Sequence, residues 1–388
     1  MFKALALRLL AKLIVSREDM IGGGKLVKRN LRKSYQFNPQ YTPTLNNDIR
    51  FDELPVSIYV DPFYLFEVDQ VSLIGPYGLP VTRYGRILQE TSQGSVVKCV
   101  FRTVSLLGVV EFIKLYISVF FPRSKMDLEC AFHLVPRHGY GPNQPNYSHW
   151  ILENLPQLFA LDSIADQSPK IVVNQTMTKW QRESLCSMGL DLNSIVPLSK
   201  SIIHVRKLYL SSMRSATSSN SERDPRGRSW AMNRLKSAGT DDYKVVKRKH
   251  TFLSRQDLSR GFITNMKALE VLLDKYDFEI YHPGQVSFQH DVDYFRDVRL
   301  LLAPHGASMA NMVFSDSCNV IEIVCGPKWD TDLFYFTALE CGFTYDTAIC
   351  TRDFEFEDNN SEIEEAWIVD IPGLEKNIEV ALSLMVEE

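Results

Sequence analysis

Residues 298–324 read VRLLLAPHGASMANMVFSDSCNVIEIV, and this stretch decides the fold. A strand is predicted over 298–304, where the continuous apolar run Leu300-Leu301-Leu302-Ala303 suits a central strand covered on both faces, and Asn319–Val324 is a second run of the same kind. Between them the chain turns at His305 and Gly306, directly after Pro304, and a short helix is predicted over 307–313. Strand, helix, strand at this spacing pairs in parallel through a right-handed crossover. Working outward, further strands are predicted at 251–254, 278–281 and 343–349, with helices near 265–275, 288–297 and 331–341. The second half of the chain is therefore α/β.

The first half begins with a polar connector over 18–50 and a strand-rich segment from Pro55 to Val100, where short apolar runs are broken by Gly and Pro. Ser148–Leu161 reads as a helix opened by Ser148. The strand KIVVN (170–174), a helix over 178–189 and strands at 202–205 and 208–211 follow. The Ser/Arg-rich stretch 211–229 is too poor in apolar residues to order itself and marks a boundary. These shifts divide the chain into 1–50, a helix and connector; 51–212, an α/β domain; 213–229, a linker; and 230–388, a second α/β domain.

With 388 residues, 45% of them apolar, the chain is long enough to give each of two domains a core. Forty-three Lys plus Arg against forty-seven Asp plus Glu leave a net charge of −4, which excludes a general nucleic-acid binder. The seven cysteines are scattered and form no CxxC pair, so the expected compartment is a reducing cytosol. Residues 1–17, MFKALALRLLAKLIVSR, carry Lys3, Arg8, Lys12 and Arg17 along an apolar stripe. A basic amphipathic helix of this kind suits peripheral contact with the inner face of a membrane, or packing on its own protein. Val104–Phe121 is interrupted by Glu111 and Lys114 one turn apart, which reads as a non-spanning helix.

In a doubly wound sheet the ligand lies beyond the C-terminal ends of the strands. That rule selects Arg255, with Arg260 five residues on, as guanidiniums suited to a phosphate or diphosphate. It also selects the His305-Gly306-Ala307-Ser308 turn leading into the helix that carries Asn311, where backbone amides meet an anion. Glu322 sits inside a buried strand, so it either accepts from a ribose diol or partners an arginine such as Arg255. In the first half His149 and Glu153 lie four apart on one helix face, the spacing of a base and its orienting partner. A metal half-site shares that spacing, and His133 and His138 are near in sequence, but no HExxH or Cys cluster completes a ligand set. Asp291-Val-Asp293 falls in a helix rather than at a strand end, and Asp330-Thr-Asp332 is a second weak pair. GxxxxGK[ST], GxGxxG and GxSxG are all missing from the sequence.

Four blocks together resemble glycosyltransferase family 61. YSHWILENLPQLFAL (147–161) is similar to the family's His-Trp, acidic, Pro helix, and FLSRQDLSRGFITN (252–265) to its Ser-Arg block with a second arginine and an asparagine. LLLAPHGASMANMVFSDSCNVIEI (300–323) is similar to its His-Gly-Ala, Asn, Phe, Glu block, and LPVTRYGRILQETS (79–92) more loosely to its N-terminal portion. Asp291 stands where the family's glutamine is expected.

The resemblance implies a GT-B-type enzyme, two Rossmann-like domains facing across a cleft behind a strand-rich N-terminal portion. It implies an inverting glycosyltransferase that works without metal or other cofactor and uses a nucleotide sugar, UDP-linked by expectation. The acceptor would be a glycan or lipid-linked glycan, as in capsule or other cell-surface polysaccharide synthesis or glycoprotein glycan synthesis. On this reading Arg255 and Arg260 meet the diphosphate, the His305–Ser308 turn and Asn311 hold donor phosphate or sugar, and Glu322 binds ribose. Glu153 is the favoured base with His149 orienting. A non-catalytic carbohydrate- or nucleotide-binding protein of the same fold and a sugar-nucleotide epimerase are the alternatives.

Overall fold

The computed structural model describes residues 14–15, 26–38, 57–88, 96–121, 127–135, 145–174, 176–212, 223–239, 249–326, 333–360 and 362–386. It divides the chain into two compact units, one of Met1–Tyr35, Tyr59–Ser215 and Glu222–Ala231, the other of Gln36–Ile58, Ala216–Ser221 and Met232–Glu388. Most of the expected 1–17 helix, residues 213–222 of the expected linker, His138, Asp330 and Asp332 lie outside the described residues.

The chain opens with β1 (Ile14–Val15), β2 (Leu26–Arg32), β3 (Tyr35–Phe37), β4 (Ile58–Val60), β5 (Phe63–Ile74), β6 (Leu79–Thr82) and β7 (Ile87–Leu88), all in the first unit except that the unit boundaries fall within β3 and β4. Helices α1 (Val96–Leu107) and α2 (Val109–Ser118) follow. Then come β8 (Leu128–His133), α3 (147–167), β9 (Lys170–Val173), α4 (Lys179–Ser187), β10 (Ile195–Pro197) and β11 (Ile202–Ser211). The sheet runs β1-β7-β6-β5-β11-β8-β9-β10, with β2 also on β5. Strands β11, β8, β9 and β10 are mutually parallel, while β5 pairs antiparallel with β11, β6 and β2. Only the first group has the Rossmann-like character expected of this half. Phe66, Leu73, Ala131, Val172, Val205 and Leu208 form the core between them.

Several sequence expectations are corrected here. Ile14 and Val15 are extended and pair in parallel with Ile87 and Leu88, so the 1–17 stretch is not one continuous helix. The two strands expected at 202–205 and 208–211 are a single ten-residue strand. Part of the expected linker is helical, because α5 (Pro225–Ser237) starts inside it with Pro at the position whose N–H needs no partner.

The second unit contains β12 (Lys249–Leu253), β13 (Arg260–Ile263), α6 (Met266–Lys275), β14 (Phe278–Tyr281), α7 (Phe288–Arg296), β15 (Val298–Pro304), α8 (Ala307–Phe314) and β16 (Asn319–Cys325). It ends with α9 (Leu333–Cys341), β17 (Thr344–Arg352), α10 (Phe354–Asn359), β18 (Glu365–Val369) and α11 (Ile371–Val386). The strand order is β13-β18-β17-β16-β15-β12-β14, parallel throughout except for β17 against β18. Leu300, Leu302, Ile321 and Ile323 are covered by Leu269, Leu273, Leu374 and Ile378 from α6 and α11. Each such side chain is worth about 1.5–3 kcal/mol of burial, which is why the apolar runs 300–303 and 320–324 sit at the centre of the sheet. From β12 the chain winds to β14 on one side and then returns to β15 on the other. The reversal opens a crevice at the C-terminal ends of β12 and β15.

Candidate active site

Leu253 ends β12, and Arg255 follows directly at this switch point. The Arg255 guanidinium donates from Nε and Nη2 to the Arg260 carbonyl, at 3.2 and 3.1 Å. Its third nitrogen lies over Gly306: a Cβ at that position would come within 1.5 Å of Nη1. Gly306 is extended (φ 170), so the requirement for glycine is one of space rather than backbone strain. Burial pulls the Arg255 pKa below its usual value, with Asp257 and Glu365 acting in the opposite sense.

Gly306 caps α8, whose first amides point at the crevice with the partial positive charge of a helix start. Beside it, His305 donates from Nδ1 to the carboxylate of Glu322 on β16, and the Tyr345 hydroxyl on β17 donates to the other carboxylate oxygen. Glu322 is 1% exposed. The bond to the carboxylate fixes the orientation of the imidazole and keeps its proton on Nδ1. The Phe334 ring packs edge-on against the imidazole at 5.3 Å.

The crevice therefore gathers Arg255, His305, Gly306, Ala307 and Ser308. Three further expected site residues are engaged as follows. Glu322 accepts from His305 at one carboxylate oxygen and from Tyr345 at the other. Arg260 contributes its carbonyl to Arg255, while its guanidinium pairs with Glu364 at 2.6 Å on the surface. Asn311 is fully buried within α8. Tyr345 escaped sequence reasoning, although its signal was available: Glu322 registers with Thr347, so Tyr345 is on the same face one step along.

In the first unit the side chain of Asn146, rather than Ser148, caps α3 by accepting from the His149 N–H. Pro156 has no N–H for the Leu152 carbonyl, and its ring crowds that oxygen. The helix responds with a wide π turn over Trp150–Asn154, closed by the Leu155 N–H on the Trp150 carbonyl, then tightens to 3-10 geometry over Leu155–Gln167. Trp150 anchors the turn through its Nε1 to Ser184 Oγ, 2.9 Å away. On this turn His149 Nδ1 lies 3.0 Å from Glu153 Oε2, with side-chain exposures of 15% and 3%. The carboxylate is thus the buried member and the imidazole the one that reaches solvent.

The helical Asp pair does other work. Asp291 accepts from the Tyr281 hydroxyl at 2.5 Å, and Asp293 from Gln289 at 3.2 Å. Burial and the Asp291 carboxylate raise the Tyr281 pKa, which keeps the phenol a donor.

No match to a curated protein was found. Residues 147–321 match the model of the family described as Glycosyltransferase 61, a span that begins at the His149 turn and ends one residue before Glu322. The chain carries a glycosyltransferase family 61 domain and is a glycosyltransferase.

Proposed function

We propose that the protein transfers a sugar, with inversion, from a UDP-sugar to the hydroxyl of a glycan or lipid-linked glycan acceptor, its two units being the halves of a GT-B-type enzyme. The observation that carries this reading is the Arg255 guanidinium seated on Gly306 beside the first amides of α8, at the switch point of a parallel sheet. A cation and helix-start amides in one crevice match the oxygens of a diphosphate. His305, held by Glu322, stands at the same turn, and the Arg260 carbonyl fixes Arg255.

In the proposed reaction the acceptor hydroxyl gives its proton to His149 as its oxygen bonds to the anomeric carbon. The bond from that carbon to the diphosphate oxygen breaks on the opposite face, and the electron pair leaves with the nucleoside diphosphate. Arg255 and the α8 amides stabilise the departing charge in place of a chelated metal. Glu153 is assigned the orienting role because it is the buried member of the pair. A thermal-shift panel of UDP-, GDP- and CMP-sugars tests the reading, since ligands of the native state raise its melting temperature. Stabilisation by UDP-sugars is expected; indifference to every nucleotide overturns it.

A further inference from the structure

Helix α2 is apolar on both faces. Phe112 and Val119 pack inward, with Leu115 and Tyr116, on Ile74, Val81 and Ile87. The opposite face carries Val109, Val110, Ile113 and Ile117, and the turn that follows the helix adds Phe120 and Phe121, all exposed, with Val110 and Phe121 each at 68%. An apolar stripe repeated at helical spacing on the outside of a helix is normally covered by something. Its only carboxylate, Glu111, is 3.6 Å from Lys114.

The rim of this face is basic and aromatic. The turn between β6 and β7 brings exposed Arg83, Tyr84 and Arg86 against the end of α2, where the Tyr116 hydroxyl donates to the Gly85 carbonyl and the Phe120 ring abuts Gly85. Arg102 is exposed one turn before Leu106 on α1. Among the described residues, Arg83, Arg86 and Lys114 border the stripe beside the carboxylate of Glu111. Asp69, nearby on β5, registers with Lys207 on β11.

We propose that this face docks on an anionic lipid bilayer, with α2 lying in the plane of the interface, its outer apolar residues among the acyl chains and the surrounding cations at the headgroups. The charge pattern supplies the choice: apolar centre, aromatic edge and basic rim are the requirements of an interfacial helix. A second copy of the chain fits less well. Val109–Phe121 is 13 residues long. At about 1.5 Å per residue and about 10 Å width it offers about 200 Å², against about 800 Å² per partner in a stable interface. Binding to a bilayer has no such threshold, because it grows with apolar depth and anionic charge together.

The test is co-sedimentation of the full-length protein with phosphatidylcholine vesicles, with and without phosphatidylglycerol, beside the variant carrying Ile113→Glu and Ile117→Glu. Both residues are exposed, so the variant keeps its thermal melt and its nucleotide affinity, which separates this question from the donor site. The wild type is expected to bind the anionic vesicles in a salt-sensitive way, and the variant to partition about ten-fold less. Equal partitioning of the two proteins, or no vesicle binding by either, overturns the proposal. So does a wild-type dimer in sedimentation velocity that the variant dissociates, which assigns the face to a second copy.

Discussion

The Arg255 guanidinium rests on the α-carbon of Gly306, so close that a single methyl group there would stand 1.5 Å from Nη1. Gly306→Ala therefore displaces the guanidinium without straining the backbone, which is extended. Stability should change by no more than about 1 kcal/mol, because the group that moves is the end of a flexible side chain. Affinity for a nucleoside diphosphate should fall about ten-fold. Calorimetry and a thermal melt on the same sample check this, and unaltered affinity would mean that the Arg255 position is irrelevant to the ligand.

Glu322 carries a second prediction, about stability. Replacing it with Gln sets an amide N–H₂ against a donor, since both His305 Nδ1 and the Tyr345 hydroxyl donate to this carboxylate. The cost should be about 1–3 kcal/mol, and Tyr345→Phe, which removes one donor and leaves the acceptor in place, should cost about 1 kcal/mol. Chemical denaturation gives both numbers. A Glu322→Gln protein as stable as wild type would argue that the two hydrogen bonds are not made in solution.

His149→Ala should lower turnover by about two to four orders of magnitude, the usual worth of general-base catalysis, while leaving nucleotide affinity near wild type. Glu153→Gln should cost less turnover, because its role is to orient the imidazole, and added imidazole should partly restore His149→Ala but not Glu153→Gln. The reverse ranking would move proton transfer to Glu153.

Transfer should persist in EDTA if Arg255 and the α8 amides carry the leaving charge. The carboxylates of Asp291 and Asp293 are already engaged with Tyr281 and Gln289. Loss of activity on chelation, restored by Mn²⁺ or Mg²⁺, would contradict the proposed stabilisation of the leaving group.

The parts legible in the sequence were those fixed by local pattern. Strands β14 and β15 were read at the observed limits, and β16 to within one residue, because their apolar runs are bounded by turn residues. Strand β13, Arg-Gly-Phe-Ile, was missed: it has little strand character of its own and forms by pairing with β18 about a hundred residues later. The α3 face was read correctly as bringing His149 to Glu153, but a plain helix was expected where Pro156 forces a π turn. Glu322 announced itself as a buried charge needing a partner. That the partners are His305 and Tyr345 rather than an arginine depends on the order of three neighbouring strands, which no local pattern encodes.

The central claim is that the switch-point crevice of the second unit holds the donor's diphosphate, and calorimetric titration of UDP into the full-length wild type and its Arg255→Ala variant tests it most directly. Loss of a charge-assisted contact of about 2 kcal/mol predicts binding about thirty-fold weaker in a variant that remains folded. Equal affinity in the two proteins would contradict the assignment of Arg255 and, with it, the place of the donor.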